Sequence, residues 1–540
     1  QAGIDNEDLV AARVAANVGA VTTEWPTSDL GRLLSYLTPR AAVVILDNCE
    51  HITGAVAVIA TEVLQHCPHV SILATSRSPL GVEGEVLLHV GPLDLDGNGA
   101  SVSDAMQLFL DRAVQADGAM DARRLDERLV AEAVRPTSGI PLAIELASSR
   151  LAMMSLEQLV RLSHVEEGGS GHVPQSGVVD MSGTLETSYR LLNENERSFF
   201  RNLAVFRGGF ELSAAQGFLD RLGGGDALGL VERLVAVSLL SQGTGDRLIQ
   251  LEPIRQFALR LLEESGGADE ASSAHAAVYR DWFRMPEDVL FHVPAQWPDR
   301  AHEVAIELHN LAAAVDWAIE HDVETALHLT FVATDSIPLS MAEQWQWQQR
   351  ALAAPSPPTV ARARRLATSC LTSAVVESLD ASHRCTRQFS EVARALPDPR
   401  WRYAALGRMA DLAAFRADSE LAYLLACEAA SGLEGLDDAA AVTVLNNATS
   451  VLIAAGRCTT AEAAATRLLE VVDRADVEEW LRVAARAYLA KIDVHRGDAV
   501  HAIERLRRLA SEPWREEPDA PDELAATAAA ALLLGCLLYT

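Results

Sequence analysis

Two apolar runs decide what the N-terminal part of this chain can become. Residues 41–51 read AAVVILDNCEH, and residues 70–85, about 20 positions on, read VSILATSRSPLGVEGE. Each is a short β-branched run that ends in polar groups, the pattern by which buried parallel strands deliver side chains to the crevice at their carboxyl ends. The intervening AVAVIATEVLQHC has helical spacing, so the order is β-α-β and the sheet is parallel. Asp47 and Arg77 are therefore expected to face one site. An acid at such a tip is where phosphate-handling folds hold Mg²⁺, and a basic or hydroxyl tip on the neighbouring strand can sense a terminal phosphate. The same residues also suit an α/β protein without a ligand, with Arg77 paired to Glu83 or Glu85 at the surface.

With 540 residues, 49% of them hydrophobic and 22% charged, the chain can bury several cores and is expected to divide into about three or four domains. Its formal net charge of -30 excludes general nucleic-acid affinity from the average surface, so any DNA contact needs a local basic face. The seven cysteines include no CxxC pair and no zinc spacing, which fits a reduced, cytoplasmic chain in which Cys49 is a packed thiol. No run reaches the ~18 apolar residues of a membrane span, and the first residues are not a signal peptide. Gln1 and the apolar ALLLGCLLY end read as cut ends.

Taken in order, residues 8–19 and SDLGRLLSYL, capped by Ser28, read as helices before the first strand. Residues 104–116 and 125–135 are two more, followed by SGIPLAIELASSRL, where Pro141 is well placed to begin a helix. A polar, Gly-rich link over 163–178 leads to amphipathic segments, a strand-like RLIQL and the helix PIRQFALRLLEES, the order of a winged helix. From about 272 onward the chain is Ala- and Leu-rich. Turns at Ala417, Gly456 and Gly497, about 40 residues apart, divide helix-turn-helix units and predict a TPR-like solenoid with a concave partner or inducer surface. Trp345 and Trp347 read as packing residues of that solenoid, and His51 as a helix-start residue rather than a base.

VVILDNCEH, ILATSRSPLGVEGE and SGIPLAIELASSRL, in that order, resemble the nucleotide-binding core of NB-ARC/STAND signalling ATPases, above all the AfsR-like and LuxR-type transcriptional regulators. AVFRGGFELSAA and LEPIRQFALRLL resemble the family's winged helix, and IELHNLAAAVDWAIE the opening of its helical sensor. The resemblance implies ATP or ADP with Mg²⁺, and makes Asp47 the Walker B aspartate and metal ligand. It makes Thr75 and Arg77 part of the sensor 1 segment near the γ-phosphate, and Gly139 and Pro141 part of the GLPLA motif against the adenine. Asn48 stands where many relatives outside this branch have a second acid, and Glu50 is the nearest catalytic substitute. Leu251 and Glu252 occupy the places of the MHD-like histidine and its acid.

No GxxxxGK[ST] loop occurs in the chain. In the family that loop precedes the helix at 8–19, so its place falls upstream of Gln1, and the chain alone is expected to bind ATP weakly or not at all. The expected fold is multidomain and mostly α. A partial P-loop NTPase α/β domain spans 1–100, a helical lid 101–165, a winged helix 179–268 and a TPR-like sensor 272–540. The expected role is a nucleotide-dependent switch with an inducer or protein partner on the solenoid and self-association in the active state. Output to DNA then runs only through a further domain. The competing expectation is a non-hydrolysing interaction scaffold with a degenerate NTPase core.

Overall fold

The computed structural model describes residues 10–11, 14–15, 18, 29–49, 52–95, 102–116, 125–161, 181–243, 245–285, 303–304, 306–336, 341–432, 438–474 and 479–511. It is multidomain and predominantly helical, and it divides into two compact units. One comprises Gln1–Val86, Phe283–Leu308 and Ala318–Thr540, the other Leu87–Trp282 and His309–Trp317.

The first unit begins with α1 (Asp29–Leu37), β1 (Ala42–Leu46), α2 (Thr53–His66) and β2 (Val70–Ala74). The strands pair in parallel, with Ala42 opposite Val70 and Leu46 opposite Ala74. Alternation then sends Val44, Leu46, Ile72 and Ala74 into a core with Leu33, Leu37, Val56, Ile59 and Val63. The expected burial on both sides is not observed. Val43, Ile45 and Leu73 on the opposite face are 65%, 67% and 55% exposed, because the described helices α1 and α2 share a core with one face only.

In the second unit, α3 (Asp104–Ala116), α4 (Glu127–Val134) and α5 (Pro141–Ser149) close around Phe109, Val130, Ile144 and Leu159. There follow α6 (Met181–Arg190), α7 (Glu194–Asn202), α8 (Leu212–Arg221), α9 (Ala227–Ala236), an antiparallel ribbon of β3 (Ser241–Gln242) and β4 (Leu248–Ile249), α10 (Glu252–Glu264) and α11 (Ala268–Trp282). Asn193 and Glu196 form a reciprocal capping box that starts α7, and Phe210 bridges Leu248 to widen the ribbon. Helices, a short antiparallel ribbon and two further helices succeed one another in this stretch.

A buried polar knot holds this unit. Asn310, in α12 (Leu308–His321), is fully buried; its Oδ1 accepts from the Arg207 backbone N-H at 2.6 Å and its Nδ2 donates to the Gly209 carbonyl at 2.8 Å. It thus satisfies the loop that joins α7 to α8, and His309 packs 3.2 Å from where a Cβ on Gly208 would stand. His275 lies beside it, in an edge-on contact with Phe206 at 4.8 Å and bonded to Asn310. Burial, the largest cause, pushes this imidazole down to about 3; the Asn310 bond opposes that shift and the Arg207 charge adds to it.

The rest of the first unit is a succession of antiparallel helices. After α13 (Val323–Ser336) and α14 (Met341–Ala353) come four pairs: α15 (Val360–Val376) with α16 (Leu379–Ala395), α17 (Arg400–Phe415) with α18 (Ser419–Ser431), α19 (Asp438–Ala454) with α20 (Cys458–Val472), and α21 (Glu479–His495) with α22 (Ala499–Ser511). Trp345 is buried and its Nε1 donates to Glu377 at 3.1 Å, so it packs as expected.

The last three pairs turn identically. Ala417, Gly456 and Gly497 have φ of 59°, 69° and 80°, and the next residue's N-H in each case bonds a carbonyl five positions back at 2.9 Å, the Schellman closure. An arginine at each turn then reaches an acid on the preceding pair: Arg416 to Asp380 at 3.2 Å, Arg457 to Glu420 at 2.6 Å and Arg496 to Glu462 at 2.7 Å. Exposed pairs of this kind each contribute little, and here they repeat in step with the helices.

Ala417 carries a Cβ where its two counterparts have none, and a left-handed alanine costs about 1 kcal/mol. Ala417→Gly is expected to recover part of that, raising the urea midpoint despite the added chain entropy; a lowered midpoint would show the turn to be unstrained. For His275, the folded value lies below that of free imidazole, so under pH ~6.5 the unfolded chain takes a proton that the folded one refuses. Stability from this residue is complete above pH 6.5 and is lost as pH falls toward about 3. By pH 5 the loss should reach about 2 kcal/mol, and unfolding free energies of His275→Gln should fall less steeply over that interval.

Candidate functional site

The pairing of Leu46 with Ala74 brings the two strand tips level, so the residues that follow them meet. Thr75 Oγ1 donates to Asp47 Oδ1 and accepts from the Asn48 backbone N-H at 2.9 Å. The main chains close the junction: Thr75 N-H donates to the Leu46 carbonyl and Cys49 N-H to the Thr75 carbonyl, both at 2.9 Å. Asn48 turns the chain here with φ 60°, a left-handed conformation that asparagine tolerates better than most residues. The Cys49 side chain is buried behind the turn, its Sγ 3.4 Å from the Leu46 carbonyl. Asp47, Thr75 and Arg77 are all exposed residues of the tip.

The loop after β2 is braced by Glu85, whose carboxylate accepts from the N-H groups of Leu80 and Gly81, both at 2.9 Å. One of the two acids weighed as a partner for Arg77 is therefore engaged in holding its own loop. Glu50 and His51 lie outside the described residues, as does the link at 163–178.

Gly139 and Pro141 stand in the second unit, the strand tips in the first. Gly139 has φ 74°, its carbonyl accepts from Leu93 N-H at 2.8 Å, and a Cβ there would stand 2.1 Å from the Leu93 carbonyl oxygen. Its glycine is thus required by a backbone crossing. Pro141 occupies the first turn of α5, preceded by an extended Ile140, and is exposed. The glycine is set by the backbone crossing at Leu93, and the proline begins the helix.

At the start of α10, Leu251 is 36% exposed and has no side-chain cap. Glu252 accepts two bonds from Arg255, both at 2.9 Å, and another from Gln256. Among the described residues no cluster of three or more His, Cys, Asp or Glu side chains could hold a metal by itself, and no helix is long and apolar enough to cross a membrane. Sequence reasoning missed Asn310 and its hold on the loop at 207–209, a pairing across about 100 positions.

No family model matches the chain. It is 33% identical over 338 residues to "Putative HTH-type transcriptional regulator Rv0890c" of Mycobacterium tuberculosis, an alignment covering 59% of this chain and 36% of that protein, and equally similar to a Mycobacterium bovis counterpart. The chain thus spans about a third of the length of these curated relatives. Over 277 residues it is 35% identical to "Uncharacterized protein Rv0894" of M. tuberculosis, covering 49% of this chain and 67% of that one. Among solved structures, the signal transduction ATPase with numerous domains (STAND) protein with a tetratricopeptide repeat sensor, PH0952 from Pyrococcus horikoshii, superposes with a TM-score of 0.50 at 12% identity, over 93% of this chain and 74% of that one. That likeness establishes a shared fold.

Gly139→Ala should cost on the order of 3 kcal/mol, combining a left-handed Cβ with the clash at Leu93, read as a shift of the urea midpoint. An unchanged midpoint would mean that the Leu93 crossing yields freely.

Proposed function

The chain belongs to the same family as the uncharacterized protein Rv0894 of M. tuberculosis, and on that premise we propose that it is the nucleotide-dependent switch of a STAND-type transcriptional regulator. The observation that carries the reading is the Thr75–Asp47 hydrogen bond across adjacent parallel strand tips. A fold shared with a STAND protein that has a tetratricopeptide repeat sensor supports it, as does similarity to proteins named HTH-type regulators.

The donor set suits Mg²⁺. This small, hard cation takes oxygen ligands, keeps several waters and is commonly held by one or two carboxylates together with substrate phosphates. Asp47 would hold it, oriented by Thr75, and the ion would neutralise phosphate charge. Arg77 extends from the same tip, where a guanidinium can bond a terminal phosphate in one nucleotide state and lose that bond in the other. Pro141 is assigned to the adenine. ATP and ADP states then differ in how the winged helix and the helical sensor pack, and an inducer or partner on the sensor shifts the balance. With Asn48 after Asp47, the assignment is to binding and slow turnover, Glu50 being the candidate to orient water. A net charge of -30 leaves DNA recognition to a separate output domain.

A second reading, a non-hydrolysing interaction scaffold, is favoured by Leu251 at the histidine position and by the engagement of Glu252 with Arg255. Calorimetry of the full-length protein with ADP or ATP, with and without Mg²⁺, separates the two. The switch reading expects binding that Asp47→Ala weakens at least tenfold only when Mg²⁺ is present. Absence of nucleotide binding in the full-length protein would leave the scaffold.

A further inference from the structure

The sequence of α16, LDASHRCTRQFSEVARA, has two faces. Ala381, Cys385, Phe389 and Ala393 are buried, while His383, Arg387 and Arg394, spaced i, i+4 and i+11, form one exposed stripe. Beside that stripe α17 forms the floor and α18 the far wall of a groove of about 420 Å³. The floor and wall are apolar, with Met409 and Leu412 from α17 and Leu421 and Leu425 from α18, and Arg416 closes the groove from the end of α17.

The charge balance of this groove is opposite to that of the chain. Its lining holds three arginines, Arg387, Arg394 and Arg416, and one carboxylate, Asp418, in a protein of net charge -30. Asp418 accepts from Leu421 N-H at 3.1 Å and so caps α18. Arg416 is paired to Asp380 at 3.2 Å, and Arg387 lies 3.7 Å from the exposed Glu391. Among the described residues Arg394 makes no ion pair. Guanidinium groups over an apolar floor favour an anionic head joined to an apolar body, since charge-assisted bonds strengthen where water is displaced. The volume lies in the small-molecule range of roughly 300–1,000 Å³.

We infer that the groove between α16, α17 and α18 binds a small anionic amphiphile, its carboxylate or similar head on the arginines and its apolar body on Met409, Leu412 and Leu421. This names a ligand class for the sensor and rests on the switch reading only for its regulatory meaning; the binding itself needs no nucleotide. The probe is decanoate below its aggregation threshold, titrated calorimetrically into the nucleotide-free protein, with decanol as the uncharged comparison. The expected result is one decanoate per chain, at least tenfold weaker binding of decanol, and at least tenfold loss in Arg387→Gln/Arg394→Gln, two exposed positions whose change leaves the fold intact by circular dichroism. Met409→Trp, which fills the floor, should also abolish binding. Equal binding of decanoate and decanol, unchanged affinity in the arginine variant, or no decanoate binding would each overturn the proposal. Asp47→Ala should leave the titration unaltered, so loss of nucleotide binding and loss of amphiphile binding are separate results.

Discussion

The C-terminal helix pairs stand because alanine lets helices approach closely. Ala410, Ala413, Ala422, Ala426, Ala448, Ala461 and Ala465 sit in one buried cluster shared by successive pairs, with Val451, Leu452 and Ile453 between them. A helix pair of this composition has too little apolar surface to bury its face alone, and each gains stability only from the next pair along. The identical turns and the repeating arginine–acid pairs follow from that dependence. They fix the rotation from one pair to the next, and a small side chain tolerates little error in that rotation.

The same economy of contacts explains why the array was legible in the sequence. A turn about every 40 residues is a local signal, and local signals survive in a one-dimensional reading. Ala417 belongs to the series although it lacks the glycine of its counterparts, because the closure is made by backbone groups. The strands were legible too, as β-branched runs with polar ends. One-sided burial of the sheet was not, since AVVIL is an unbroken apolar run of the kind found in strands covered on both faces.

Sites built across long sequence distances were the ones that remained hidden. Asn310 reads as one polar residue in an alanine-rich helix until its two bonds to the loop at 207–209 are seen. The basic groove draws Arg387 and Arg416 from different helices, and each reads singly as a solvated charge. Thr75 and Asp47 lie between these cases. Both ends of their bond were legible as strand tips, but their meeting depends on register, and a slip by one residue would also turn Val44 and Leu46 out of the core.

The bare sheet face has a practical side. Val43, Ile45 and Leu73 stand together in contact with water, and Val86, Leu87, Leu88 and Val90 are 60–90% exposed a short way along the chain. Dyes that fluoresce on apolar surface will find such places in this chain before any helix has melted. A thermal scan followed by such a dye would therefore begin from a high baseline set by this end of the molecule. Calorimetry or tryptophan emission would instead follow the helical majority.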